Sequence, residues 1–312
     1  MEKLIPVSLE EKPVTAFLNF YLNEKTFTNY WNAIYRYLVC FYPGLTRDLD
    51  EMDRVATDYI SELRTSRNLL NDLAYSVNQM KRRYSPSYVN MNISIVCLWF
   101  DDNQVGLTRR IRQRVLNLIP PAYSIREEAE LTRHLFKEIY YALPDWCQVL
   151  LLFLSGTGLR LGEAMNLKRI DINWEETRPS VYIRAENSKN KISRTAYMTR
   201  EAAEALKKYL MMRTDNNPFV FPYPVWSAQS ALRKAADKTG HGPQNGLPRS
   251  FHWHMTRKWF ISRFSLAASK EVAEELVGHV GYLSRSYQRF TKQQILIQFK
   301  KADSYLSILR ND

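Results

Sequence analysis

Apolar residues recur at three- and four-residue intervals through most of this chain, a period that predicts helices. Over residues 14–41 the run AFLNFYLNEKTFTNYWNAIYRYLVCFY keeps that spacing until Pro43 and Gly44 end it. DEMDRVATDYISELR repeats the pattern. YSPSYVNMNISIVCLWFDDN reads as a further helix opened by Pro86, although NISIVCLWF taken alone also fits a strand. No alternating run of useful length occurs in this part, so residues 1–110 are expected to form a small helical domain.

The pattern breaks at IRQRVLNLIPPAYSIREEAE. Pro120 and Pro121 cannot continue a helix and force the residue before them to be extended. Ser124, followed by Glu127 and Glu128, is suited to cap a new one. A linker is therefore expected over 111–123, and a second domain over 124–312. That domain should open with helices at 124–141 and 144–155. The period then shifts. In PSVYIRAENSKNKISRTAYMT, SVYIRA and RTAYM read as two strands joined by a polar turn. EAAEALKKYL, AQSALRKAADK, HMTRKWFISRF and KEVAEELVGH return to helix. The expected class is mainly α with one small β-hairpin sheet, in two domains. No internal repeat or low-complexity tract interrupts it.

Charge separates the two parts. The chain carries 44 Lys and Arg against 32 Asp and Glu, a formal net charge of +12. Up to Tyr123 the balance is 15 basic to 13 acidic residues, leaving 29 to 19 beyond it. A basic second half favours a polyanionic partner, because each neutralised phosphate releases counterions. The three cysteines, Cys40, Cys97 and Cys147, form no CxxC pair, so neither a disulfide framework nor a zinc site is indicated. MEKLIPVSLEEK has no apolar core of a secretory leader, and WCQVLLLFLSGTG is too short to span a bilayer. A reducing cytoplasmic interior is expected, with no membrane contact.

Four stretches concentrate chemistry. In SGTGLRLGEAMNLKRIDI, Gly156 and Gly158 break an apolar helix and Arg160 emerges beyond them. Arg160 either pairs with Glu163 as a structural ion pair or offers its planar fork to a phosphate. In AENSKNKISR, Lys189 and Lys191 lie near a turn that is either plain exposed surface or a lysine arm able to protonate a leaving alkoxide. In FHWHMTRKWF, His254 and Arg257 are three apart and share one helical face. His252 and His254 lack the acidic or cysteine companions of a metal site. In GHVGYLSRSYQRF, His279 precedes Tyr282 and Tyr287, the second flanked by Arg285 and Arg289. Either phenol is a possible nucleophile. Tyr287 is preferred, because eight residues let the chain reverse and Ser284 can cap a short helix to carry it.

The order Arg160, Lys189, His254, Arg257, His279, Tyr287 resembles the tyrosine recombinase (phage integrase) family. The carrying motifs are TGLRLGEAMNL, the hairpin lysine, HMTR, LVGH and SYQRF. In detail, RKWF and SYQRFTKQQILIQFKKADSYL are most similar to archaeal and archaeal-virus integrases. The resemblance covers roughly 123–305 and departs in HMTR, which lacks the usual leucine before the arginine. It implies a helical core-binding domain, a catalytic domain, and DNA strand exchange through a covalent 3′-phosphotyrosine on Tyr287, without metal, cofactor or ATP. Arg160 and Arg257 would clamp the phosphate, helped by His279. His254 would accept the phenolic proton, and Lys189, chosen over Lys191 by its distance from Arg194, would protonate the 5′ oxygen. Lys191, Arg194, Lys258, Arg285 and Arg289 would line the DNA. Double-stranded DNA at specific sites, self-association to a tetramer on it, and a nucleoid location are implied. A type IB topoisomerase or a non-catalytic DNA-binding regulator on the same fold are the alternatives. Near the C-terminus, Ile295, Leu296, Phe299, Ala302, Tyr305 and Leu306 form one helical stripe, expected to pack either on its own domain or, as the preferred reading, on a neighbouring protomer.

Overall fold

The computed structural model describes residues 12–121, 129–175, 178–189, 191–243, 249–278 and 290–310. The chain divides into two compact units, Met1–Ser124 and Ile125–Asp312. Among the described residues it is helical apart from one three-stranded sheet.

The first unit holds α1 (Pro13–Asn19), α2 (Glu24–Leu38), α3 (Leu49–Thr65), α4 (Leu69–Lys81), α5 (Pro86–Asp102) and α6 (Arg109–Leu116). Side-chain oxygens cap most of these starts: Asn23, Asp48, Asn68, Ser85 and Thr108 each accept a backbone N–H three residues on. The segment that also fitted a strand is the helix α5. Pro86 sets its first turn, and Val89, Ile93, Val96 and Phe100 bury one face at helical spacing. Asp53 of α3 is buried and accepts from the backbone of Val14 and Thr15, which fixes α1 against α3. The expected linker differs from what is seen. Residues 109–116 are helical, and Val115 and Ile119 belong to this unit's core, because two apolar side chains four apart can be buried together.

The second unit opens at α7 (Arg133–Ala142). Its cap is Thr132, which accepts from Leu135, so the helix begins later than 124. Ser124 lies outside the described residues. α8 (Asp145–Thr157) runs through the middle, with Leu150 to Thr157 all buried. α9 (Leu161–Met165) follows directly. The sheet comprises β1 (Ile172–Asn173), β2 (Ser180–Ile183) and β3 (Arg194–Tyr197), antiparallel in that order, with Val181 opposite both Ile172 and Ala196. β1 was not legible as a strand: two residues carry no alternation. α10 (Arg200–Met212), α11 (Val225–Lys238), α12 (His254–Ala267), α13 (Lys270–Val277) and α14 (Lys292–Leu306) complete it.

α14 corrects the expectation for the C-terminal stripe. Phe299, Ala302 and Leu306 are buried within their own unit, where Phe299 meets Tyr197, Phe260 and Phe264. The indole N–H of Trp259 donates to the Leu306 carbonyl at 3.0 Å. Arg178 donates to Asp303 at 2.6 Å and lies 4.9 Å from the Phe299 ring centroid. Glu201 accepts from the backbone N–H groups of Ile308 and Leu309. The stripe is spent on intramolecular packing because α12 and the sheet present a complementary aromatic face. Tyr305 alone of the six remains largely exposed, at 46 %.

Candidate active site

Gly158 ends α8 in the left-handed region, with φ at +69°. A Cβ there would also come within 2.7 Å of Phe260 and Val277, so glycine is required twice over. Two residues on, Arg160 is extended and stands at the N-cap of α9. Its backbone N–H and its Nη1 both reach Glu163, at 2.9 Å and 3.0 Å. The ion pair that the sequence offered as an alternative is therefore present, and a quarter of the Arg160 side chain stays exposed beside it.

Glu163 carries more than that pair. Arg194, the first residue of β3, meets it with both terminal nitrogens, at 3.1 Å and 2.7 Å. Burial pushes the Glu163 carboxyl up, but Arg194 and then Arg160 pull it further down, and the net direction is below the ordinary value. Arg194 was expected along the DNA. Its side chain is instead only 12 % exposed, because its guanidinium fork fits this carboxylate.

Arg257 enters from α12 and is 1 % exposed. Its Nη1 donates to the Gly158 carbonyl at 2.7 Å and its Nη2 to the Val277 carbonyl. Among the described residues nothing accepts from its Nε. Burial and then the charge of Arg160 lower its pKa to about 9, with Arg194 adding to the effect and Glu163 opposing it. Three guanidinium groups thus act on one carboxylate, leaving two positive charges over. Among the described residues that leaves a local excess of positive charge, an environment that favours an anion.

His254 opens α12 beside this cluster. Its imidazole is held below the ordinary value, first by burial, then by Arg257, His252, Lys258 and Arg160. The structure therefore brings together Arg160, Arg257 and His254, with Lys258 contributing to the same field. It does not bring in Lys189, which is exposed after β2 and makes no hydrogen bond or ion pair with these three among the described residues. Lys191 has a left-handed backbone and reaches the Glu186 carbonyl at 3.3 Å. His279, Tyr282, Arg285, Tyr287 and Arg289 lie outside the described residues. Glu163 in its shared role escaped the sequence reading, and the only signal available was its position three residues after Arg160.

The second unit is thus a helical domain around one small sheet, with clustered arginines and a histidine at a helix start. Residues 128–293, more than half the chain, match the phage integrase family, and the chain belongs to it. Tyrosine recombinase XerA of Pyrococcus furiosus is 28% identical over 178 residues, covering 53% of this chain and 56% of that protein. XerA of Pyrococcus horikoshii is 26% identical over 176 residues. The chain thus spans little more than half the length of these curated relatives. A lambda integrase (75-356) dimer bound to a COC′ core site shares the fold at a TM-score of 0.63 and 15% identity, over 90% of this chain and 98% of that one. A lambda integrase tetramer bound to a Holliday junction gives 0.64 and 16%, over 91% and 79%.

Proposed function

We propose that this protein is a site-specific DNA recombinase that breaks and rejoins strands through a 3′-phosphotyrosine on Tyr287. The observation that carries this reading is the surplus of buried positive charge around Arg160, Arg194 and Arg257. A scissile phosphodiester is anionic and repels nucleophiles, and such a pocket neutralises it while favouring the charge that develops in the transition state. The family and its DNA-bound neighbours support the substrate class.

Arg160 keeps an exposed side-chain portion for a non-bridging oxygen, and Arg257 has its Nε free of any described acceptor. His254, its pKa lowered, is neutral at neutral pH and can take the phenolic proton. The tyrosine oxygen then bonds to phosphorus as the bond to the 5′ oxygen breaks, and Lys189 supplies that oxygen's proton. His279 adds a donor to the phosphate. The retained phosphodiester energy permits religation without ATP, so neither metal nor cofactor is assigned a step. Residues 1–110 would serve as the core-binding domain on the same duplex, with linkage raising avidity. Lys191, Lys258, Arg285 and Arg289 would contact backbone phosphates, and protomers would assemble as a tetramer across two duplexes. The surroundings would be the cytoplasm and its nucleoid, consistent with no described helix being long and apolar enough to cross a membrane.

The test is covalent trapping on a nicked duplex followed by mapping of the DNA-linked peptide. Tyr287→Phe should give no adduct and Tyr282→Phe should still give one. An adduct that survives Tyr287→Phe would refute the nucleophile. A substrate with sulfur in place of the 5′ bridging oxygen should rescue Lys189→Ala and leave Arg160→Ala inactive.

A further inference from the structure

Arg194 has a geometry that the proposed roles leave unused. All three kinds of guanidinium nitrogen are engaged, and they face different parts of the site. Nη1 and Nη2 grip the two oxygens of Glu163 at 3.1 Å and 2.7 Å. Nε donates to the Leu276 carbonyl at 3.1 Å. Glu163 in turn holds Arg160 by its backbone and its Nη1. Leu276 adjoins Val277, whose carbonyl accepts from Arg257. Gly278 closes α13 in the left-handed region, and a Cβ there would press on the Arg194 Cδ at 3.2 Å. One side chain on β3 therefore touches the carboxylate that orients Arg160 and the helix end on which Arg257 rests.

We infer that Arg194 is a positioning residue, fixing Arg160 and Arg257 at the separation that the scissile phosphate requires. The inference rests on the recombinase reading above. Its chemistry is specific to arginine. Lysine preserves the charge but cannot form two parallel bonds to Glu163 together with a third, in-plane donation to Leu276. Arg194→Lys should leave the fold in place, because α14 and the sheet are held by separate contacts. Arg160 would then keep only its own two bonds to a Glu163 carboxylate no longer fixed from β3, and would be free to shift with it. A displacement of about 1 Å in such a clamp costs on the order of 100-fold in rate.

A merely structural residue and a positioning residue differ in how the loss depends on substrate charge. A misplaced arginine clamp penalises cleavage of an anionic phosphate. It has far less effect where a methylphosphonate at the same position carries no charge to neutralise. Single-turnover adduct formation is therefore measured on both nicked duplexes, with duplex affinity and melting temperature alongside. In Arg194→Lys the phosphate substrate should slow about 100-fold, and the methylphosphonate substrate should slow several-fold at most. Arg194→Met, which keeps the apolar stem, should show the same selectivity and covers the case of a poorly folding lysine variant. Equal losses on both substrates, or no loss on the phosphate, would overturn the assignment while the wild-type chain remained active. A wild-type chain that forms no adduct on either duplex would overturn the recombinase reading and this role with it.

Discussion

Arg257 and Gly158 are joined by a hydrogen bond of 2.7 Å across 99 residues of chain, from a guanidinium to a helix-end carbonyl. The left-handed turn at Gly158 sends the chain on to Arg160 while its carbonyl receives the arginine from α12. One glycine thus sets where both arginines stand.

Gly158→Ala should be costly. The backbone conformation alone is worth roughly 1–3 kcal/mol against a residue with a Cβ. The 2.7 Å approach of Phe260 and Val277 adds strain that a packed core relieves poorly. Urea unfolding should record at least that loss, and an unchanged midpoint would show that the turn had relaxed.

Arg257→Ala should lower DNA cleavage by about 10²–10³-fold, the scale for removing one donor to developing charge. Affinity for duplex DNA should change little, since many other basic residues carry the nonspecific contribution. The variant also leaves the Gly158 and Val277 carbonyls without this donor, at about 1–3 kcal/mol for each one stranded. Cleavage should accordingly be compared well below its melting temperature. Wild-type cleavage rates would refute the phosphate role.

His254 gives a pH dependence with a defined sign. Burial and the surrounding cations disfavour its imidazolium, so its pKa lies below 6.5. The neutral base predominates above the lowered pKa and is lost as pH falls through it. Cleavage governed by it should decline as pH falls through that lowered value, further to the acid side than for an ordinary histidine. A site-assigned NMR titration should place the midpoint below 6.5. A rate that climbs on acidification would exclude His254 as the proton acceptor.

α14 should be needed for stability. Phe299→Ala should cost about 3–5 kcal/mol, the usual range for a large buried aromatic, because the ring is fully buried. Removing residues 291–312 should destabilise the second unit before any question of assembly arises. A truncated chain that melts with the parent would restore the view that this helix packs on a neighbour.

The motifs were legible because each places its chemistry within a few residues: Arg160 after a glycine break, His254 and Arg257 one turn apart. The apolar period likewise announced α2, α3, α8 and α10 to α13. What stayed hidden depends on distance along the chain. Glu163 and Arg194 are 31 residues apart, and no local pattern pairs them. α6 looked like a linker because the two prolines follow it closely, and its buried Val115 is a single residue in a basic helix. The stripe on α14 was visible, but amphipathicity names a face and not its partner.

Arg133, at the start of α7, donates to the carbonyls of Ser307 and Ser304 at 3.1 Å and 2.8 Å, across 174 and 171 residues. During synthesis α7 therefore emerges long before these acceptors exist. The first unit can fold while the ribosome is still translating, as its core draws, among the described residues, on residues 14–119. The second must wait for residues 304–307 to clear the exit tunnel. A ribosome stalled anywhere in the last turns of α14 would hold a nascent chain with its arginine cluster encoded but its helical frame unclosed.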